Sequence, residues 1–442
     1  VNTGSALFLL CYRAATALAA LPGACYLAWR RRADPPYGRQ FWQLLGYGYP
    51  RDRRGCVVFH AASMGEANAV RPLAERFAAA HPGIRTVITT LTTTGRNAAA
   101  RAKGANVLIA PLDSRCACRR FFRALKPRLL VITDTELWPE KLCSARKARC
   151  PVIIVSARMQ ERNLQAYLRH PLLSRDLLAS NLERVLCASP EDRERFLRLG
   201  VPEDRTEVTG SLKYDLTPDT RRFEASRALR RALKGPVLGA VSTHGGEEGL
   251  IIRVFERLRR SLPSLSLVLV PRHKSGVSAA AKILESRHRE FTLRSAAGDL
   301  SGFQGGILIG DTMGEIALYF GLCDLVFMGG SFADIGGHNP LEPACYAIAS
   351  VTGPEIRNFR EEYQRLAASG GAFIVKTEDA LYQELLRLLT HPDACLAAGK
   401  RAQEVQQTGR GAVARSLEVI DSLLARHPHF PEAQTGAASG AS

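Results

Sequence analysis

A chain of 442 residues is long enough for two or three domains, each with a core of its own. With 46% hydrophobic and 23% charged residues its composition is globular, which excludes a disordered or fibrous protein. Its 60 basic against 42 acidic residues give a formal net charge of +18, which favours an anionic partner. The excess is spread over helical arginines such as Arg115, Arg119, Arg120, Arg123 and Arg128. No compact basic tract with interleaved aromatics occurs, so nucleic acid is not the favoured partner.

The first predicted element is apolar from Ala6 to Trp29, interrupted by Tyr12-Arg13 and followed by Arg30-Arg31-Arg32. A secretory signal would end in small residues, whereas this stretch runs into arginines. Its length suffices to span a bilayer if Arg13 snorkels or sits near the far interface, and an interfacial helix is the alternative. Either way residues 1–32 read as a membrane anchor, and the positive-inside tendency places the chain beyond Arg32 on the cytoplasmic side. At this level the segment localises the protein and takes no part in chemistry.

Beyond Arg32, short β-branched apolar runs alternate with longer helical stretches. The first half offers CVVFH (56–60), TVITTL (86–91), NVLIA (106–110), LLVITD (129–134), VIIVSA (152–157) and RVLCAS (184–189). The second offers PVLGAVS (236–242), LSLVLVP (265–271), GILIGD (306–311), DLVFMGG (324–330) and AFIVK (372–376). Such runs predict buried parallel strands with helical crossovers. The polar, proline-containing stretch Tyr214 to Thr220 reads as a linker, which divides the chain into domains 33–215 and 216–426 and a disordered tail, 427–442. Two facing α/β domains of this kind bind ligands in a cleft at the carboxyl ends of their strands.

The eleven cysteines show no Cys-x-x-Cys and no histidine cluster at zinc-ligand spacing. Most, such as Cys56, Cys187 and Cys323, lie in apolar runs and read as small buried hydrophobes in a reducing compartment.

Chemistry-bearing loops follow the predicted strands. HAASMGE (60–66) follows the first and DTELWPE (134–140) the fourth; STHGGEE (242–248), PRH (271–273), GDTMGE (310–315) and GGSFADIGGHNPLEP (329–343) follow strands of the second half. Each has a bland reading: Glu66 or Glu315 as a first-turn carboxylate favoured by the helix dipole, Arg272-His273 as a surface pair, Trp138 as a loop anchor. The glycines before His338-Asn339 could simply turn the chain into a helix. No P-loop and no G-x-G-x-x-G is present. A helix start at Met313-Gly314-Glu315 can hold a phosphate, with Arg272 as a charged partner.

The ordered series AASMGE, TTLTTTGR, DTELWPE, SARMQER, VTGSLKYD, STHGGEE, PRH, GDTMGE and GGHNPLEP resembles the 3-deoxy-D-manno-octulosonic acid (Kdo) transferases of lipopolysaccharide synthesis, from Arg30 to Arg426. The resemblance implies an α/β protein of the GT-B glycosyltransferase class: two Rossmann-like domains facing an interdomain cleft, with an N-terminal membrane-anchoring helix. It further implies an inverting enzyme of the inner membrane, with its catalytic domains on the cytoplasmic side, that moves Kdo from CMP-Kdo to a lipid A precursor such as lipid IVA without a metal or other cofactor. The anionic inner-membrane surface would be a further partner. Glu66 matches the catalytic base and Glu136 a second acid on the acceptor side. Arg272 and the turn Met313, Gly314, Glu315 match the CMP phosphate site, and Asn339 and Glu342 positions that hold the nucleotide. His273, Ser242 and Thr243 fall on the donor side, and Arg96, Arg158 and Lys213 on the acceptor side. The run AIASVTGP (347–354) departs from the family's usual Gly-Val-Pro-Val, and GRQFWQLLGYG from its Arg-Leu-Gly segment. Another GT-B lipid glycosyltransferase using a UDP-sugar, or a non-catalytic nucleotide-binding membrane scaffold, would share much of this pattern.

Overall fold

The computed structural model describes residues 3–30, 41–51 and 55–426. Arg31, Arg32 and the tail expected at 427–442 lie outside the described residues. Packing divides the chain into two compact units, one running to Asp215 and resuming at Gly409, the other spanning Leu216–Thr408.

The first unit is built on β1 (Cys56–His60), β2 (Arg85–Thr90), β3 (Ala105–Ile109), β4 (Pro127–Thr133), β5 (Val152–Ala157), β6 (Arg184–Cys187) and β7 (Thr206–Val208). Their order is β3-β2-β1-β4-β5-β6-β7, all parallel. The second unit carries β8 (Val237–Thr243), β9 (Ser266–Pro271), β10 (Thr292–Leu293), β11 (Ile307–Ile309), β12 (Leu325–Met328), β13 (Ala349–Thr352) and β14 (Ala372–Ile374). Their order, β10-β11-β9-β8-β12-β13-β14, is again wholly parallel.

Both sheets are covered on two faces, which is why their strands are apolar at consecutive positions. In the first unit Val58, Ile132 and Ile154 enter one core, while Val57, Phe59, Val131 and Val155 enter the other. The strand order reverses between β1 and β4 in the first sheet and between β8 and β12 in the second. At such a switch point neighbouring loops leave in opposite directions and open a crevice at the carboxyl edge.

The N-terminal helix, Thr3–Arg30, includes Thr3–Tyr26, a segment long and apolar enough to cross a membrane, with mean hydropathy 1.5. One stripe of it docks on the first unit. Leu9 packs with Cys143 and Leu177, Ser5 donates to Asp176 (3.1 Å) and Tyr12 to Asp113 (2.7 Å). Arg13, whose snorkelling or place near the far interface is the condition for spanning, pairs with buried Glu140 at 2.7 Å. Leu7, Leu10 and Leu18 stay exposed. The cysteines are all free, and Cys56, Cys187 and Cys323 are buried.

Residues 409–426, expected in the second domain, pack on the first unit instead. The helix Ala412–Arg426 presents Val413, Ile420, Leu423 and Leu424 to the core that holds Val57, Phe59 and Val70. Its start is tied to the first unit by Asp215, whose carboxylate accepts from the backbone N–H groups of Gly411 (2.7 Å) and Val413 (2.6 Å). Nothing in the periodicity of the last helix distinguishes which sheet it covers. Asp215→Ala strands two helix-start donors and should lower the stability of the first unit by about 1–3 kcal/mol. In urea its midpoint should fall while that of the second unit holds; an unmoved first midpoint would show the tie to be dispensable.

Candidate active site

In the first unit, Glu66 leaves the carboxyl end of β1, on one side of the switch point, and Glu136 that of β4, on the other. Glu66 lies in the first turn of the helix Met64–Ala80, whose N-cap is Ser63. Its carboxylate accepts from the Ser63 hydroxyl (2.7 Å) and from the Ala62 N–H (2.8 Å), while its own N–H donates back to Ser63 Oγ (3.3 Å). This capping geometry fulfils the bland reading of Glu66 and at the same time locks its carboxylate in place. Burial raises its pKa from 4.5 to about 7; the Ser63 and Ala62 hydrogen bonds oppose the shift, and Asp134 and Glu136 add to it. Glu136 accepts from the Trp138 indole N–H, which ties that ring to the loop.

The remaining residues expected on the acceptor side occupy the same edge. Arg96 sits in the helix Thr93–Ala99 after β2, half-buried. The residue before it, Gly95, lies so close to the Ser63 turn that an added Cβ would meet the Ser63 carbonyl carbon at 3.2 Å and Thr92 Oγ1 at 2.8 Å, so glycine lets the two loops touch. Arg158 follows β5, and Lys213 lies in the short turn Leu212–Tyr214 after β7. Those two loops are joined by Ser156 Oγ, which donates to Ser211 Oγ (3.3 Å) and accepts from the Leu212 N–H (3.3 Å).

Beneath this edge is a polar group that the sequence did not single out. Lys141 and His60 are buried, and Lys141 Nζ lies 2.8 Å from His60 Nε2. His60 Nδ1 contacts Thr89 Oγ1 at 3.0 Å. Burial lowers the pKa of both; Lys141 pushes His60 further down, whereas Asp113, Glu136 and Glu66 pull Lys141 back up. A lysine two residues beyond a WP dipeptide carries no local signal; only the fold brings it to β1.

In the second unit the expected donor residues gather at the carboxyl ends of β8, β9, β11 and β12. Glu247 organises them: its buried carboxylate accepts from the N–H groups of His244 (2.9 Å), Gly330 (2.6 Å), Ser331 (2.9 Å) and Phe332 (2.8 Å), across the β8–β12 switch point. Ser242 has left-handed backbone (φ 58°), and the buried Thr243 hydroxyl donates to Glu248 at 3.0 Å. Arg272 follows β9, its N–H on the Thr243 carbonyl (2.9 Å). Exposed His273 stands edge-on to His244, which contacts His338 Nε2 through its own Nε2 at 2.9 Å. Burial pushes His338 down to about 3, with His244 and Arg272 adding to the shift, so the pair is neutral at pH 7. His244 and Glu247 lie in the run STHGGEE, of which the sequence singled out only Ser242 and Thr243.

The run ahead of His338 explains its own glycines. Gly336 and Gly337 have φ of 96° and 76°, and a Cβ on Gly337 would meet the Glu355 carbonyl oxygen at 2.9 Å. Asn339 commits its side-chain oxygen to the Leu341 N–H (3.1 Å), which starts the turn Leu341–Ala344. Glu342, in that turn, is raised to about 7 by burial, with Arg272 pulling the other way. In the turn after β11, Gly314 has φ 80° and Met313 is exposed. The Glu315 carboxylate accepts from Arg294 (3.0 Å) and the Thr312 hydroxyl, so what that turn can offer an anion is backbone N–H, not the carboxylate.

Residues 39–216 match the family described as 3-deoxy-D-manno-octulosonic-acid transferase (kdotransferase). The 3-deoxy-D-manno-octulosonic acid transferase of Haemophilus influenzae is 31% identical over 376 residues, covering 84% of this chain and 88% of its own. That of Bordetella pertussis is 30% identical over 428 residues, covering 92% of this chain and 98% of its own. This chain belongs to the Kdo transferase family. It is therefore a glycosyltransferase. Among solved structures, UDP-GlcNAc 2-epimerase from Neisseria meningitidis bound to UDP-GlcNAc matches with a TM-score of 0.53 at 12% identity, over 84% of this chain and 99% of that one. The Staphylococcus aureus MnaA–UDP structure gives 0.53 at 13%, over 86% and 99%. At such identities the likeness bears on fold alone, and the fold of this Kdo transferase family member is the GT-B type with two Rossmann-like units.

The raised Glu342 has a consequence for stability. The folded protein holds this proton up to about pH 7, whereas the unfolded chain releases it near 4.5. Between those values the folded state binds more protons, so stability falls as pH rises. Glu342→Gln should therefore melt higher than wild type at pH 8 in the second calorimetric transition, with the difference closing towards pH 4.5. Parallel melting curves at the two pH values would show that Glu342 ionises without penalty.

Proposed function

We propose that the protein is an inverting glycosyltransferase that moves Kdo from CMP-Kdo to a lipid A precursor, lipid IVA, at the cytoplasmic face of the inner membrane. The observation that carries this reading is the Glu66 carboxylate: fixed by Ser63 and Ala62, raised to about 7, and flanked by Glu136 at the β1–β4 switch point. An alcohol is a poor nucleophile while it holds its proton, and a base near pH 7 is matched to removing it. Glu66 takes that proton from the acceptor hydroxyl, and the alkoxide oxygen attacks the anomeric carbon on the face opposite CMP. Glu136 holds the acceptor sugar. Arg96, Arg158 and Lys213 supply cations for an acceptor that carries phosphates.

The leaving CMP needs no acid, because its phosphate departs as a stable anion. Arg272 balances that charge, joined by backbone N–H groups at Met313 and Gly314. His273 and Ser242 line the same edge, and Glu342 accepts from nucleotide hydroxyls. The N-terminal apolar helix and the net charge of +18 suit a protein working at an anionic membrane surface.

Glu66→Gln keeps the shape and removes the base, so turnover should fall about 100-fold or more, with CMP binding intact. Near-normal turnover would move the role to Glu136. With wild type, kcat/KM for the acceptor should climb about tenfold per pH unit below the Glu66 value of about 7 and level off above it. A profile already flat from pH 5.5 would mean an unshifted carboxylate. Arg272→Ala should weaken CMP binding by about 1.5–3 kcal/mol in calorimetry; unchanged affinity would put the phosphate elsewhere.

A further inference from the structure

The helix Pro139–Lys147 begins directly after the Glu136 loop, and its N-cap residue is Trp138, whose side chain makes no capping hydrogen bond. The first N–H groups of a helix have no partner within it. Here two of them, those of Glu140 and Lys141, donate to Asp113 from the loop after β3, at 3.0 and 2.7 Å. Asp113 in turn accepts from the Tyr12 hydroxyl at 2.7 Å. Arg13 grips the same turn through Glu140, with Nε–Oε2 at 2.7 Å and Nη2–Oε1 at 3.3 Å. The start of this helix is thus capped from outside by the Asp113 carboxylate, and the N-terminal helix holds that cap through Tyr12 on Asp113 and Arg13 on the Glu140 side chain.

What the helix start carries gives the clamp its meaning. Glu136 and Trp138 lie immediately before it. Lys141 within it reaches His60, the last residue of β1, two residues before Ala62, whose N–H holds the Glu66 carboxylate. On the N-terminal helix Ser5, Leu9, Tyr12 and Arg13 share one stripe at i, i+4, i+7 and i+8 spacing, and all four touch the first unit. A segment serving only as a lipid tether has no use for a tyrosine and an arginine on its protein-facing side.

We propose that the N-terminal helix is a positioning element of the acceptor-side site: Tyr12 and Arg13 fix the start of the Pro139–Lys147 helix, and with it the geometry of Glu136, Lys141 and, through His60, the Glu66 turn. This rests on the assignment of Glu66 and Glu136 to the transfer reaction. Tyr12 and Arg13 touch no reacting atom; they act through Asp113 and Glu140. A misplacement of about 1 Å at a catalytic group can cost up to a hundredfold in rate, so loosening this clamp has a measurable effect on turnover.

The test uses the full chain in detergent micelles, with lipid acceptor dispersed in the same detergent so that recruitment to a bilayer plays no part. The double variant Tyr12→Phe/Arg13→Gln should lose about tenfold in kcat, with KM for CMP-Kdo and the melting of the second unit unchanged. Arg13→Lys, which keeps the charge at Glu140, should recover most of the rate. Leu18→Ser, on the exposed side, should weaken vesicle binding and leave micellar turnover as in wild type. Glu66→Gln, run alongside, checks the underlying site: an unimpaired Glu66→Gln overturns the assignment on which the clamp rests. If Glu66→Gln is impaired and the double variant turns over at the wild-type rate, the helix is a tether only. Should the double variant misfold, hydrogen exchange of the Glu140 and Lys141 amides in Tyr12→Phe decides. Faster exchange with reduced kcat supports the clamp, and unchanged exchange overturns it.

Discussion

A wholly parallel sheet sends every strand out through the same edge, and the backbone there has no ladder partner left. Polar N–H groups that are buried but unpaired are costly, so each loop leaving that edge needs an acceptor from somewhere else. In this protein buried or half-buried carboxylates fill that need. Glu247 alone takes four backbone N–H groups from two loops. Asp113 takes two at the start of the Pro139–Lys147 helix, and Asp215 two at the start of the last helix. Without such acceptors the loops that bear the candidate chemistry have no fixed course.

The carboxyl edges of the two sheets also hold carboxylates that are left short of donors. Glu66 accepts one backbone N–H and one hydroxyl, which fall short of offsetting burial and two neighbouring acids, and its proton is held to about pH 7. Among the described residues only Arg272 favours the charged form of Glu342. The division is between side chains whose donors are the backbone itself and side chains left short of donors. The first kind builds the edge; the second kind is kept ready to exchange a proton or accept from a ligand.

Most strands were legible in the sequence because burial on both faces forces uninterrupted β-branched runs. VIIVSA became β5 residue for residue, and CVVFH became β1. The strands that escaped lack that signature: β7 is a three-residue edge strand, β10 has two residues, and β13 is built from Ala349, Ser350, Val351 and Thr352, of which only Val351 is a large apolar residue. The loops carrying Glu66, Glu136, Arg272 and Glu342 were legible from their position after strands. Lys141 and Asp113 were not, since each acts on a residue from another strand and forms no local motif; His60 and Glu247 stand inside the quoted runs HAASMGE and STHGGEE, but their partners come from other strands. The last helix escaped for a similar reason: its periodicity says that it is amphipathic, not which sheet receives its apolar side.

That last helix also dictates an order of events during synthesis. A ribosome releases the first unit's strands early, but the apolar face over Val57, Phe59 and Val70 stays uncovered until residues 412–426 emerge. The second unit is one uninterrupted segment, Leu216–Thr408, and is complete before then. The unit begun first is therefore the one finished last. For the whole time between, the nascent chain carries an open hydrophobic surface next to an apolar N-terminal helix, a state in which a chaperone or an early hold on the bilayer has something to protect.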